Sequence, residues 1–368
     1  MNPREISNAL IRRRPAPRMG LFDQPWPETV ARWTEEGHLK VPGTEGAVES
    51  DCDPVLHFGF DMAYVGGFFD SMPLRGVFEV LEETEEWRKV RTGAGGVIKV
   101  WKAKSGTPEH VSFTMTSPEI WARDYRPHLL SPDGARLQAE PTRAELEKRR
   151  RQGLWTFFGH LGIWETMRQT MGDFCMMESL ALEPDWIHDF NRVYTDFYKT
   201  HFQLLIEGAG KPDGIWLFDD LGYRNGLFCS PDMLNELFLP YYKDIVGFFH
   251  AMDLPVVLHS CGNVTAALPM IVEAGFDALN PMEAKAGCDL LGFAETYGDR
   301  LAFIGGFDAR ILESGDREAI RRETVRIVEG MKSRGARYFF GSDHSLSPLV
   351  RYEDFLYAVE VYREHRDY

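Results

Sequence analysis

Short apolar runs alternate with amphipathic stretches along the second half of the chain. Residues 214–218 (GIWLF) are a continuous apolar run ending in Asp219-Asp220. Ser230-Pro231 then opens a helix, with a polar cap followed by proline in the first turn. The run 255–258 ends in His259, and 263–273 reads as a helix stopped by Gly275. Residues 278–280 predict a strand, 289–297 a helix, and 301–304 a strand ending in Gly305-Gly306-Phe307-Asp308. From Arg317 a helix carries Ile320, Thr324, Ile327, Val328 and Met331 on one face, at spacings of three and four. A last strand at 338–340 leads into Gly341-Ser342-Asp343-His344, and 352–363 predicts the final helix.

The first third is less regular. Residues 25–37 predict a short helix with Pro27 near its start and Gly37 after its end. A short strand is expected around 62–65. Residues 76–106 alternate apolar and polar positions on both sides of a Gly-Ala-Gly-Gly turn, which is a hairpin pattern, and 110–118 offers a further strand. Residues 143–151 read as a charged, solvated helix.

Strand–helix alternation with continuous apolar strands predicts a parallel sheet covered on both faces. The expected fold is a (β/α)8 TIM barrel, one domain over 1–368, with an N-terminal extension (1–54) and a β-hairpin insertion (76–117). An open doubly wound sheet is the alternative, but no G-x-G-x-x-G follows any of these strands. Composition agrees with a folded globular chain: 44% of its 368 residues are hydrophobic and 26% charged. The net charge of −15 disfavours nucleic acid and anionic lipid as partners. No apolar run approaches the ~18 residues of a membrane span, and the N-terminus lacks the apolar core of a signal peptide. Five cysteines at irregular spacing read as free thiols, which fits a cytoplasmic setting.

In such a barrel, chemistry gathers at the C-terminal ends of the strands. The predicted strands end in Asp219 and Asp220, His259 and Cys261, Glu283, Asp308, and Asp343 and His344. Residues two apart in an extended segment project to one side, so the imidazole of His259 and the thiol of Cys261 can share one cation. Mixed nitrogen, sulfur and oxygen donors suit Zn²⁺, with His344 and Glu283 as candidates to complete the shell. Asp219 and Asp220 either serve the substrate, orient a histidine or cap a helix. Asp308 fits a tight strand-end turn equally well. Asp343, next to His344, points to a supporting or loop role. Phe22, Trp26, Phe68, Phe69 and Trp164 wall a pocket or belong to the core. Cys52, Cys175 and Cys229 read as structural, and Cys288 as a reserve ligand.

The stretches FDDLG (218–222), SPDMLNELFLPYYK (230–243), PVVLHSCGNV (255–264), ALNPMEAKAG (278–287), IGGFDARIL (304–312) and GSDHSLSP (341–348) carry a further signal. Together they resemble the superfamily of uroporphyrinogen decarboxylase and the cobamide-dependent methyltransferases, with FGFDMAYVGGFFD as a looser N-terminal match. The resemblance implies a (β/α)8 barrel. It also implies a choice between two activities. Decarboxylases carry an arginine-rich N-terminal motif. The corresponding GLFDQPWPETVARW holds one arginine, Arg32, which disfavours porphyrinogen decarboxylation. The methyltransferase branch has an H-x-C motif, matched by His259 and Cys261, while its late cysteine is replaced here by His344.

The reading implied is a zinc-dependent methyltransferase acting between a small methoxylated compound or thiol and a corrinoid. Zinc would sit on His259, Cys261, His344 and a displaceable Glu283. Asp70, Asp219 and Asp220 would be catalytic, and Tyr223, Asp308 and Asp343 would bind substrate. The chain has no D-x-H-x-x-G corrinoid motif, so the corrinoid (cobalamin) is expected on a separate protein. A homodimer is expected. The runner-up is a metal-free lyase in which Asp70 stabilises a protonated ring and His344 is an acid or anchor. A barrel that binds a small ligand without turnover is the third reading.

Overall fold

The computed structural model describes residues 1–103 and 108–368. Its centre is a sheet of eight parallel strands: β1 (Gly20–Leu21), β2 (Met62–Tyr64), β3 (Trp155–Leu161), β4 (Gly214–Phe218), β5 (Val256–His259), β6 (Ala278–Asn280), β7 (Ala302–Ile304) and β8 (Tyr338–Phe340). The strands follow one another around the sheet, with β1 beside β8 and β2 at the opposite end, so the sheet is nearly closed into a barrel. Helices surround it, as the alternation predicts.

The last seam is closed by side-chain chemistry. The Asp61 amide donates to the Leu21 carbonyl at 2.8 Å, and the Asp61 carboxylate accepts from the Leu21 amide at 2.8 Å. Arg18 grips the same carboxylate through two nitrogens, at 2.8 and 2.6 Å. One carboxylate thus supplies the acceptor that a ladder partner would supply elsewhere.

Alternation along the strands sorts side chains between two cores. Trp216 and Val257 face the barrel interior with Phe22, Met62, Trp155, Phe157 and Phe339. Their neighbours Ile215, Leu217, Val256 and Leu258 face the helices. Aromatic rings fill the lumen, with Phe157 and Trp216 stacked at 4.9 Å between centroids. The helix Pro3–Ile11 adds Ile6, Leu10 and Ile11 to this core. It is tied to the N-terminal ends of the strands by Arg4, which bonds to Gly153 and pairs with Asp213. Polar chemistry is thereby left to the other end.

Several elements differ from expectation. Residues 20–21, inside the predicted extension, are the first barrel strand. Two residues show no period, and β1 is defined by its partner: a Cβ at Gly20 would lie 2.1 Å from the Phe339 ring. The strand Trp155–Leu161 and the helix Pro184–Ala209 lie where the pattern predicts no element. The insertion is a four-stranded antiparallel sheet, not a hairpin with one added strand: Phe78–Glu83, Trp87–Thr92, Val97–Trp101 and Glu109–Ser112. The Gly-Ala-Gly-Gly turn joins its two middle strands, as predicted. Residues 104–106 of the predicted hairpin lie outside the described residues. Among the described residues, no helix is long and apolar enough to cross a membrane.

Candidate metal centre

β5 ends in His259, and the chain continues through Ser260 to Cys261. The serine side chain points away and accepts from the Leu221 amide at 2.9 Å. Its neighbours turn to one side, where Cys261 Sγ lies 3.4 Å from His259 Nε2. Asp220, from the end of β4, joins them: its Oδ1 accepts from the Cys261 amide at 2.8 Å and lies 3.9 Å from His259 Nε2. One ligand atom from each of the three falls within 4.8 Å of the others.

Two glycines make this approach possible. Gly262 has φ +78°, and a Cβ there would lie 2.3 Å from the Gly222 carbonyl carbon. The loops after β4 and β5 therefore cross with no side chain between them, and Asp220 is held against Cys261.

The residues fit a zinc ion on the chemistry of the donor set. Ligand atoms in a tetrahedral zinc shell lie about 3.5 Å apart, given metal–ligand bonds of about 2.0–2.3 Å. The His259–Cys261 spacing matches this, and the His259–Asp220 spacing is close. The imidazole is also held in the right tautomer. Asn280 Nδ2 donates to the Ile304 carbonyl at 2.9 Å, which fixes its amide. Asn280 Oδ1 then faces His259 Nδ1 at 2.5 Å. Nδ1 carries the proton, and the lone pair of Nε2 faces the thiol and the carboxylate. Burial lowers the pKa of His259, keeping the ring neutral against the pull of Asp220. Burial pushes the Cys261 thiol well above its ordinary range, and Asp220 and Glu283 add to the rise. A cation alongside would favour the thiolate.

The set brought together differs from the one expected from sequence. Asp220 joins His259 and Cys261. Glu283 does not: its Oε2 accepts from the Gly262 amide at 2.7 Å and its Oε1 pairs with Lys285 at 3.2 Å. It braces the loop that carries Cys261. His344 is outside the three-residue group but lines a small cavity with His259 and Asn280. Its Nδ1 is buried and has no hydrogen-bond partner among the described residues, so it remains a spare donor.

The other expected residues lie in the following surroundings. Asp219 is buried and turned from the cluster. It accepts from the amides of Trp164 and Glu165 and from the Tyr242 hydroxyl, at 3.3, 2.7 and 2.6 Å. It therefore caps the helix Ile163–Leu182 from outside, and burial pushes its carboxyl up to about 8. Both oxygens of Asp70 accept from loop amides, those of Met72 and Gly76, at 3.0 and 2.9 Å. Asp70 thus shapes the entry to the inserted sheet. Asp308 is clasped by Arg310, whose hydrogen bonds lower its pKa. Asp343 is buried and clamps two loops, accepting from the amides of Ala284 at 2.8 Å and Ala309 at 2.9 Å. Tyr223 is exposed beside Cys261, on the wall of a cavity of about 440 Å³. Phe69 and Trp164 are core, Phe22 belongs to the lumen, and Phe68 is partly exposed.

A second cavity, of about 430 Å³, lies on the Asp220 side. The inserted sheet gives it Ala94, Ile98 and His110, and the helix after β3 gives it Glu165 and Arg168. The insertion thus covers one flank of the centre. Sequence reasoning missed these residues along with Asn280 and Asp23. The strand-end rule applies to the last two: Asn280 ends β6 as the ladder partner of His259, and Asp23 follows β1. Asp23 holds the Ser342 backbone and hydroxyl at 2.8 and 2.7 Å, and burial pushes it up to about 6.

The family model of uroporphyrinogen decarboxylase (URO-D) matches residues 161–365. Among solved structures, a methyltransferase from Methanosarcina mazei superposes with a TM-score of 0.65 at 15% identity, covering 99% of this chain and 99% of that one. A Xaa-Pro dipeptidase with methionine in its active site covers only 45% of this chain and 43% of its own, with a TM-score of 0.28 and 13% identity. At that score it carries no argument. No curated protein matches.

Proposed function

The chain belongs to the uroporphyrinogen decarboxylase family, and from that premise we propose that it is a zinc-dependent methyltransferase. It moves a methyl group between a small substrate, a methoxylated compound or a thiol, and a corrinoid carried on a separate protein. The observation that carries this reading is the convergence of Asp220, His259 and Cys261 around an imidazole whose free nitrogen faces the other two. These three residues would hold the ion, with His344 as a spare donor in the adjoining cavity. Zinc there supplies Lewis acidity toward a thiol or an ether oxygen, and the methyl-carrying chemistry belongs to the corrinoid.

The chain's own residues do the positioning. Asn280 keeps the His259 proton at Nδ1, so Nε2 stays available. Asp220 both donates an oxygen and anchors the Cys261 amide. Glu283 and Asp343 hold the loops on either side, and the inserted sheet walls the cavity on the Asp220 flank. Burial of Asp219 under Tyr242 fixes the helix that forms the far wall.

The test is an assay on the zinc-loaded chain with reduced cobalamin and a panel of methoxylated compounds and methyl thioethers. Methylation of the corrinoid, followed by its absorption spectrum, is expected with at least one donor. Decarboxylation of a porphyrinogen that survives Cys261→Ala would overturn the reading.

Two further outcomes follow from the same geometry. Asn280→Ala frees the imidazole to turn and to change tautomer, so zinc affinity is expected to fall by about 10–100-fold. Competition with a zinc-binding dye measures this, and an unchanged affinity would remove Asn280 from the account. The pH dependence has a definite sign. The free thiol is protonated at neutral pH and the imidazole is not, because burial moves the two in opposite directions. Zinc uptake between pH 7 and 8 should therefore release about one proton, and affinity should rise about tenfold per pH unit. Calorimetry in buffers of different ionisation enthalpy reads the proton count.

A further inference from the structure

The cavity beside Cys261 has a chemical character at odds with the rest of the chain. Its wall includes Tyr223, Arg224, Cys261, Glu283, Lys285 and Arg310. Three cations thus meet one carboxylate in a protein of net charge −15. At about 440 Å³ the space is of the size that holds a small organic molecule.

The cations are unequally committed. Arg310 lies across Asp308, with its nearest nitrogen at 2.6 Å. Lys285 makes one ion pair, to Glu283 at 3.2 Å, and an ammonium has three hydrogens to give. Arg224 makes no ion pair or hydrogen bond among the described residues, and it is exposed. The Tyr223 hydroxyl is exposed next to it. Glu283 and Asp308 offset two of the three positive charges, which leaves one in excess. A planar guanidinium fork, two spare ammonium hydrogens and a phenol therefore line one space in which positive charge is in excess. That set matches a carboxylate, sulfonate or phosphate.

We propose that this cavity binds the oxyanion end of the small substrate, through Arg224 and Lys285, and thereby sets the reacting end against Cys261. The inference rests on the methyltransferase reading and adds the substrate class: an acid, not a neutral ether or thiol. Charge at the centre is compatible. A divalent cation held by one thiolate and one carboxylate is neutral overall, so it does not repel an anion bound alongside.

The experiment is calorimetry on the full zinc-loaded chain at low and moderate salt. The probes are 4-methoxybenzoate, benzenesulfonate and inorganic phosphate, with neutral 4-methoxybenzamide as the comparison. At least one anion is expected to bind about tenfold or more tighter than the amide, and to weaken as salt rises. Arg224→Gln should weaken that anion severalfold, and Arg224→Gln with Lys285→Gln by about tenfold or more. Amide binding and zinc content should not move. Anion and amide binding alike, no anion binding at all, or full anion affinity in the double variant would overturn the proposal. Displacement of the anion by cobalamin would assign the cavity to the corrinoid's phosphate and overturn it too. Zinc content of the same samples keeps the two readings apart. Anion preference without bound zinc sustains the cavity and removes the metal, and full zinc without anion preference does the reverse.

Discussion

Replacing Cys261 with alanine is expected to drop bound zinc from about one equivalent to under about 0.2, and to abolish methyl transfer. The thiolate is the one anionic sulfur of the cluster, and its loss leaves a neutral imidazole and a single carboxylate. His259→Ala should do the same by removing the only nitrogen donor of the three. Asp220→Asn should have a smaller effect, because the amide keeps an oxygen near the Cys261 backbone while losing the charge. Fold should survive in Cys261→Ala, since the residue is only part-buried and its backbone bond to Asp220 does not involve the thiol. Metal content per mole of protein, beside a circular dichroism spectrum, separates loss of zinc from loss of structure. Full zinc in Cys261→Ala would contradict the assignment.

The second large effect concerns stability and lies at the opposite end of the barrel. Asp61→Ala is expected to cost about 3–5 kcal/mol, because it leaves the Arg18 guanidinium without its counter-charge and the Leu21 amide without its acceptor. The carboxylate is almost wholly buried, at 1% side-chain exposure, so water cannot replace it without opening the seam between β1 and β2. Asp61→Asn keeps one acceptor oxygen and should lose less. Denaturation midpoints of the two variants give the order. An Asp61→Ala midpoint equal to that of the parent would mean that the seam does not depend on this bond.

The half of the barrel from β4 onward is legible in the sequence because each strand is a continuous apolar run closed by a polar residue or a glycine. Trp216 and Val257 illustrate why this works: strands covered on both faces have no polar side to confuse the pattern. The first half hides for identifiable reasons. β1 has two residues and takes its identity from Phe339 and Phe340 across the ladder. β3 contains Thr156, Gly159 and His160, which interrupt its apolar run even though the strand is buried. The helix Pro184–Ala209 did leave a signal. Ile187, Phe190, Tyr194, Phe197, Tyr198, His201, Phe202 and Leu205 recur at helical spacing and are all buried.

The centre shows the same division. His259 and Cys261 follow from strand geometry alone, since one intervening residue puts both on one side. Asp220 was visible as a strand-end acid, but sequence could not tell which of two adjacent aspartates turns inward. That choice depends on the Tyr242 hydroxyl and the helix amides that claim Asp219. Glu283 and His344 lie in the right loops. What separates them from the cluster is a set of hydrogen bonds to partners distant in sequence, such as the Gly262 amide for Glu283. Asn280 carries no charge, so its residue type does not mark it as part of a metal or acid–base site. Its place opposite His259 in the ladder makes it the residue that sets the tautomer.

X-ray absorption at the zinc edge on the purified, zinc-loaded chain tests the central claim most directly. One sulfur at about 2.3 Å with nitrogen and oxygen scatterers at about 2.0–2.2 Å is expected, with loss of the sulfur shell in Cys261→Ser. A zinc shell containing only nitrogen and oxygen in the parent protein would contradict it.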